Sequence, residues 1–218
     1  MVVNVVRNLE RRLERMLEGV GGRFFAGRLH PSELAGKLAR EADFARFQHP
    51  TGPATANHFV IEVNPADLTV DAPKLARMLA AEMTAYTTEE GLRLEGPVSV
   101  DIRPSEASIS GRVDCHVEVV PGPPVAWARL KAKDEGFDVG RNRAVIGRSS
   151  EADVVIAHDD ISRRHALIYT EKGQAHLSDL KSANGTLVDG VRIGTTPVLL
   201  SEGSIVELGE HRYRFVRV

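Results

Sequence analysis

A single cysteine, Cys115, in 218 residues excludes an intrachain disulfide and a cysteine-based zinc knuckle as the stabilising device of any domain in this chain. Long apolar runs are missing as well. Nowhere do about 18 apolar residues follow one another, and Met1 to Leu9 is too polar for a signal peptide, so the expected location is the cytoplasm, with membrane recruitment only through partners. A charge excess is also lacking: 28 Lys and Arg stand against 30 Asp and Glu, with 14 against 17 before Val120 and 14 against 13 after it. Neither half has the basic surplus of a phosphate-backbone binder, which argues against a nucleic-acid partner. The first half shows no clustered His/Cys/Asp ligand set, no Gly-rich nucleotide loop and no acid and base at a recognisable spacing. The expectation is therefore no enzyme, no cofactor and no metal.

The length suits two domains of roughly 100 residues each. In the first, Val5, Val6, Leu9, Leu13, Met16 and Leu17 recur at three- and four-residue steps and predict an amphipathic helix over 4–17 that stops at Gly19. Gly21–Gly22 and Phe24–Phe25 follow. They lack the spacing of a phosphate loop and read as a chain reversal. A second helix starts at Pro31, with Glu33 in its first turn, and runs through Leu34, Leu38 and Ala42 towards Phe47 until His49–Pro53 stops it. Then come a strand over 58–63, a turn at 64–67, a helix over 73–88 and strands over 97–103 and 112–120. The expected fold is α+β, with helices packed on a small three-stranded sheet. Arg40, Glu41 and Asp43 read as a solvated helix face, and Tyr86 to Glu90 as an ordinary helix end with a kinase target as the alternative.

Pro121–Pro124 forms a short Pro/Gly linker that spans about 10 to 15 Å at the roughly 3 Å per residue of extended proline backbone. The division is thus 1–120, linker 121–125, and 126–218. From Trp127 on, short β-type runs alternate with turn signals such as Lys172–Gly173, Asp189–Gly190 and Glu202–Gly203, the pattern of an all-β sandwich whose loops gather at one end. Predicted strands cover 127–131, 139 with 143–147, 153–156, 166–170, 175–179, 186–188 and 205–208 with 212–216. Three polar islands sit between them: Gly147–Arg148, Ser162-Arg163-Arg164-His165-Ala166, and Ser182-Ala183-Asn184-Gly185-Thr186. A phosphate dianion asks for a guanidinium fork, a hydroxyl and further N–H donors held on loops by a rigid scaffold. Arg148, Ser162 and Arg163 supply those groups.

Gly147–Arg148, then Ser-Arg-x-His-Ala, then Asn-Gly-Thr, followed by Leu200-Ser-Glu-Gly203 and Val206-Glu-Leu-Gly209, resembles the forkhead-associated (FHA) domain family from about Ala126 to Val218. The resemblance implies phosphothreonine binding by Arg148, Ser162, Arg163 and Asn184, with Asn184 holding the peptide backbone. It gives Gly147, His165, Gly185 and Thr186 the work of shaping the loops. His165 beside Ser162 is then a brace rather than the base of a hydrolase dyad, which would also need an orienting third group and an oxyanion hole. Arg164 is expected to face solvent. Ala183 departs from the Thr or Ser of several relatives and removes one side-chain contact to the ligand.

The pieces Arg23-Phe24-Phe25-Ala-Gly, Pro31-x-Glu-Leu-Ala-x-x-Leu-x-Arg-Glu41-Ala-Asp43 and Asn57-x-Phe-x-Ile-Glu-Val-Asn64 are similar to the N-terminal domain of FhaA-like actinobacterial FHA proteins. What this implies is an adaptor in bacterial Ser/Thr kinase signalling, tied to cell-wall synthesis or division. Its partner would be a phosphothreonine-containing protein, either a kinase or a kinase substrate. The alternative is a scaffold that forms a homo-oligomer through its N-terminal domain, where avidity multiplies weak phosphopeptide binding.

Overall fold

The computed structural model describes residues 2–18, 28–68 and 71–218. The expected Gly19 stop, the Gly21–Gly22 turn and the Phe24–Phe25 patch lie outside those residues. Contacts divide the chain into two units, the first made of Met1–Phe47, Ala54–Tyr86 and Leu94–Gly122, the second of Gln48–Pro53, Thr87–Arg93 and Pro123–Val218. Among the described residues no helix is long and apolar enough to cross a membrane.

Helix α1 (Val2–Glu18) buries Leu9, Leu13 and Leu17, one stripe at four-residue steps, against helix α2 (Pro31–Phe44). His30 caps α2: its Nδ1 accepts the Ser32 N–H, and Pro31 follows at the position where a missing N–H costs nothing. Leu34, Ala35, Leu38, Ala39 and Ala42 form its buried face. The helix ends at Phe44, short of the expected Phe47, which instead opens a hairpin of β1 (Phe47–His49) and β2 (Gly52–Ala54). Gly52 takes φ +127 there, a value only glycine adopts easily, and this is how a Pro/Gly stretch that reads as a helix stop becomes a chain reversal.

Strand β3 (His58–Val63), a 3-10 turn at Pro65–Asp67, helix α3 (Ala72–Glu89), β4 (Ser99–Pro104) and β5 (Val113–Glu118) follow. The sheet is three-stranded with β3 in the centre, parallel to β4 and antiparallel to β5. Phe59, Val60, Ile61 and Val63 are all buried, as expected of a strand covered on both faces, whereas Pro104 is tolerated because β4 is an edge. Two buried polar side chains fasten the connections. Asn57 exchanges hydrogen bonds with the Val120 backbone and donates to the Pro97 carbonyl. Asp67 accepts from the N–H groups of Arg28 and Gly111 and from the Ser110 hydroxyl. Burial pushes the Asp67 carboxyl up, but these donors outweigh it and hold the group below its ordinary value.

In the second unit two sheets face each other. One has five strands in the order β14 (Val198–Leu200), β11 (Gln174–Asp179), β10 (Ala166–Glu171), β8 (Ala144–Gly147) and β9 (Val154–Val155). The other has six, in the order β13 (Val191–Ile193), β12 (Thr186–Val188), β15 (Ile205–Leu208), β16 (His211–Arg217), β6 (Ala128–Lys131) and β7 (Gly136–Val139). Leu130, Ile146, Ile168, Leu177, Leu208 and Phe215 fill the space between them, each worth about 1.5 to 3 kcal/mol of burial. Lys172–Gly173 and Asp189–Gly190 both take positive φ at two successive residues, the twist that a two-residue hairpin requires. Strands β13 and β14 go beyond the predicted set, and β7 extends back from the predicted Val139. They are three or four residues long with few buried positions, so little alternation marks them in the sequence.

Candidate functional site

Three connections of the second unit meet at one end of its sandwich: the turn after β8, the segment before β10 and the loop before β12. Their approach is set by Gly147. A Cβ at that position would lie 2.2 Å from the Arg163 carbonyl oxygen and 3.0 Å from that of Ser162. Only hydrogen fits between these backbones. The contact is sealed by the Arg148 N–H donating to the Ser162 carbonyl at 3.1 Å and the His165 N–H donating to Ile146 at 2.8 Å.

Arg148, Ser149, Glu151, Ser162, Arg163 and Arg164 line an open cleft of about 540 Å³. Arg148, Arg163 and Arg164 are exposed, and none makes an ion pair or side-chain hydrogen bond among the described residues. Arg164, expected to face solvent, is exposed and lines the cleft beside the other two. The Ser162 Oγ accepts the Ala183 N–H at 3.0 Å, which leaves its hydroxyl proton free to donate. Three guanidinium groups and one hydroxyl donor against the single carboxylate of Glu151 give the cleft an excess of positive charge and of donors suited to an anion.

His165 is fully buried. Its Nδ1 accepts the Ser162 N–H at 3.1 Å, so the ring proton sits on Nε2, 3.1 Å from the Gly185 carbonyl to which it donates. One neutral imidazole thereby ties the second loop to the third. Gly185 takes φ +87, and its N–H donates to the Ser182 hydroxyl. Thr186 is buried and donates its hydroxyl to Asp179 Oδ1 at 2.7 Å. Asn184 donates Nδ2–H to the Asp160 carbonyl at 2.7 Å, and its second N–H and its carbonyl make no hydrogen bond among the described residues on this exposed side chain. The structure therefore brings Arg148, Ser162 and Arg163 to one cleft, with Asn184 next to the residue whose N–H the Ser162 hydroxyl accepts.

Three aspartates that sequence reasoning passed over organise these loops. Asp179 takes both the hydroxyl and the N–H of Ser182 as well as the Thr186 hydroxyl. Burial pushes its carboxyl up, but the Ser182 and Thr186 bonds prevail and hold it below the ordinary range. Asp160 accepts from the Glu210 N–H and from His211, and the Glu210 bond leads in lowering its pKa. Asp153 accepts the Val145 N–H at 2.9 Å, two residues before Gly147, and receives a two-pronged bond from Arg93 at 2.8 and 2.9 Å. Burial raises the Asp153 pKa, but the Arg93 and Val145 bonds with the nearby guanidinium charges together outweigh it and hold the group below its ordinary value. Arg93 belongs to the same unit through its Thr87–Arg93 segment. The sequence signal for Asp179 was its place three residues before Ser182, an Asx-type turn; Asp153 and Arg93 are 60 positions apart and left none.

Comparison with known proteins gives two family matches: the FHA domain over residues 144–209, and the FhaA N-terminal domain over 6–116, just over half the chain. Among curated proteins, the transcriptional regulatory protein EmbR of Mycobacterium tuberculosis is 30% identical over 91 residues, covering 42% of this chain and 23% of EmbR. The FHA domain-containing protein FhaB of Mycolicibacterium smegmatis is 32% identical over 72 residues, covering 33% of this chain and 46% of FhaB. The chain thus spans less than half the length of either. Among solved structures, the FhaA FHA domain complexed with the intracellular domain of Rv3910 is 26% identical, covers 40% of this chain and 98% of its own, and has a TM-score of 0.37. Mycobacterium tuberculosis EmbR in complex with a low-affinity phosphopeptide is 30% identical, covers 42% of this chain and 24% of its own, and has a TM-score of 0.39. The chain belongs to the family that carries the FhaA N-terminal domain, here followed by an FHA domain.

Proposed function

We propose that this protein is a non-catalytic adaptor whose FHA domain binds a phosphothreonine segment of a partner in bacterial Ser/Thr kinase signalling. Arg148 and Arg163 grip the phosphate, the free hydroxyl proton of Ser162 donates to one of its oxygens, and the exposed amide of Asn184 holds the peptide backbone. Residues 126–218 do this work and residues 1–120 address a second partner. The observation that carries the reading is the cleft itself: three arginines that, among the described residues, make no ion pair and a serine with an unused proton, held together by the Gly147 contact. An excess of positive charge, presented on rigid loops, is what a dianion exploits. Relatives described as bound to a phosphopeptide or to another protein's intracellular domain support the same class of partner.

Fluorescence anisotropy with a degenerate phosphothreonine peptide library, alongside phosphoserine and unphosphorylated controls, tests it. Binding is expected to require phosphothreonine. Each charge-assisted bond contributes about 1.5 to 3 kcal/mol, so Arg148→Ala should weaken binding by about tenfold to over a hundredfold. Equal binding of the unphosphorylated peptide, or an Arg148→Ala variant that binds like the wild type, overturns the reading.

A further inference from the structure

We propose that Glu135, His158 and His211 form a site for a divalent transition-metal ion of the zinc type, separate from the phosphate cleft. One ring nitrogen of each histidine and one Glu135 carboxylate oxygen lie within 4.8 Å of one another. Glu135 Oε1 is 3.4 Å from His158 Nε2. Four-coordinate zinc with bonds of about 2.0 to 2.1 Å sets its ligand atoms about 3.3 Å apart, so this pair already stands at coordination spacing. The third donor closes in by a side-chain rotation.

The two imidazoles are stacked, with centroids 3.7 Å apart and planes 13° from parallel. Parallel rings do not aim both lone pairs at one ion, so binding turns one ring out of the stack. His158 and Glu135 can make that turn, since 37% of each side chain is exposed. His211 is held by Asp160, whose Oδ1 sits 2.9 Å from its Nε2 and adds a second negative charge beside the site. A carboxylate next to a ligand histidine orients the ring and raises its basicity. Glu135 is fixed in turn by the Tyr213 hydroxyl, which donates to its Oε1 at 2.9 Å. Two imidazoles and one carboxylate suit a borderline ion such as Zn²⁺, whereas Mg²⁺ and Ca²⁺ want an all-oxygen shell. The donors come from the turn before β7, the loop after β9 and the start of β16, so one ion would fasten three segments that are 23 and 53 positions apart. Those separations match no zinc spacing motif, which is why the sequence led us to expect no metal.

The test is a calorimetric titration of the full chain, stripped with a chelator, with zinc chloride near neutral pH and magnesium chloride as control. Thermal melts are recorded with and without zinc. The expected result is one saturable zinc per chain, a higher melting temperature with zinc and no response to magnesium. His158→Gln and Glu135→Gln should each weaken zinc binding by at least about tenfold. Both variants keep a hydrogen-bonding side chain at a partly exposed position, so their melting without zinc should stay near that of the wild type. Absence of saturable zinc binding overturns the proposal, as does zinc binding that neither substitution weakens, since that would assign the ion to other histidines.

Discussion

Gly147 shows how little room one residue can have. A methyl group there would be driven to 2.2 Å from the Arg163 carbonyl oxygen, a backbone atom that cannot swing aside. Either β8 or the Ser162–Arg163 segment must move, and with it the distance between Arg148 and Ser162. Gly147→Ala is expected to destabilise the fold by about 1 to 3 kcal/mol in chemical denaturation and also to weaken phosphopeptide binding. A variant that unfolds like the wild type would show that the approach is looser than described. By contrast, alanine at Gly190, where φ is +80 but no neighbour lies within 4 Å, meets only the backbone preference.

At the level of elements, Arg148 follows directly on β8, whose backbone is pinned at Val145 by Asp153. Only 6% of the Arg93 side chain and 12% of that of Asp153 are exposed. Replacing Arg93 by Leu would leave a buried carboxylate with one N–H and the distant Arg141, 4.0 Å away, as its remaining partners. Breaking one side of such a pair costs about 3 to 5 kcal/mol, so Arg93→Leu should lower stability by that order in urea denaturation; a change within experimental scatter would contradict the clamp. This clamp also marks what the sequence could tell. Helices α1 to α3, strand β3 and the cores of β8, β10, β11 and β12 were legible, because their apolar residues repeat at 3.6 or 2 positions or are bounded by Gly and Asp turns. The three islands were legible because each is a local word of two to five residues. Asp153 with Arg93, and Glu135 with His158 and His211, were not, since folding alone brings such distant residues together. The β1–β2 hairpin was missed for another reason: proline and glycine end a helix and turn a hairpin with the same backbone angles.

Across the whole molecule, four carboxylates share one bias. Asp67 in the first unit and Asp153, Asp160 and Asp179 in the second are all held below the ordinary aspartate value. Their unfolded pKa is about 3.9, so in acid the unfolded chain takes up protons before the folded one does. The stability they contribute is fully present above that unfolded value and is lost as pH falls through the lowered folded values. Melting temperatures should therefore hold steady down to about pH 5 and decline below it. Asp179→Asn should flatten the decline, and an unchanged acid slope in that variant would remove Asp179 from the account.

The second unit is assembled from three separate stretches, two of which, Gln48–Pro53 and Thr87–Arg93, precede the linker. Synthesis runs from the N-terminus, so the first unit is complete in sequence at Gly122, 31 residues before Asp153 is made. At about 5 to 20 residues per second, that interval lasts roughly 1.5 to 6 s. For most of it the Gly91 carbonyl waits for Arg143, and throughout it the Arg93 guanidinium waits for Asp153. A message cut short at the Pro121–Pro124 linker would release a chain whose early segments never meet the strands they were made to hold.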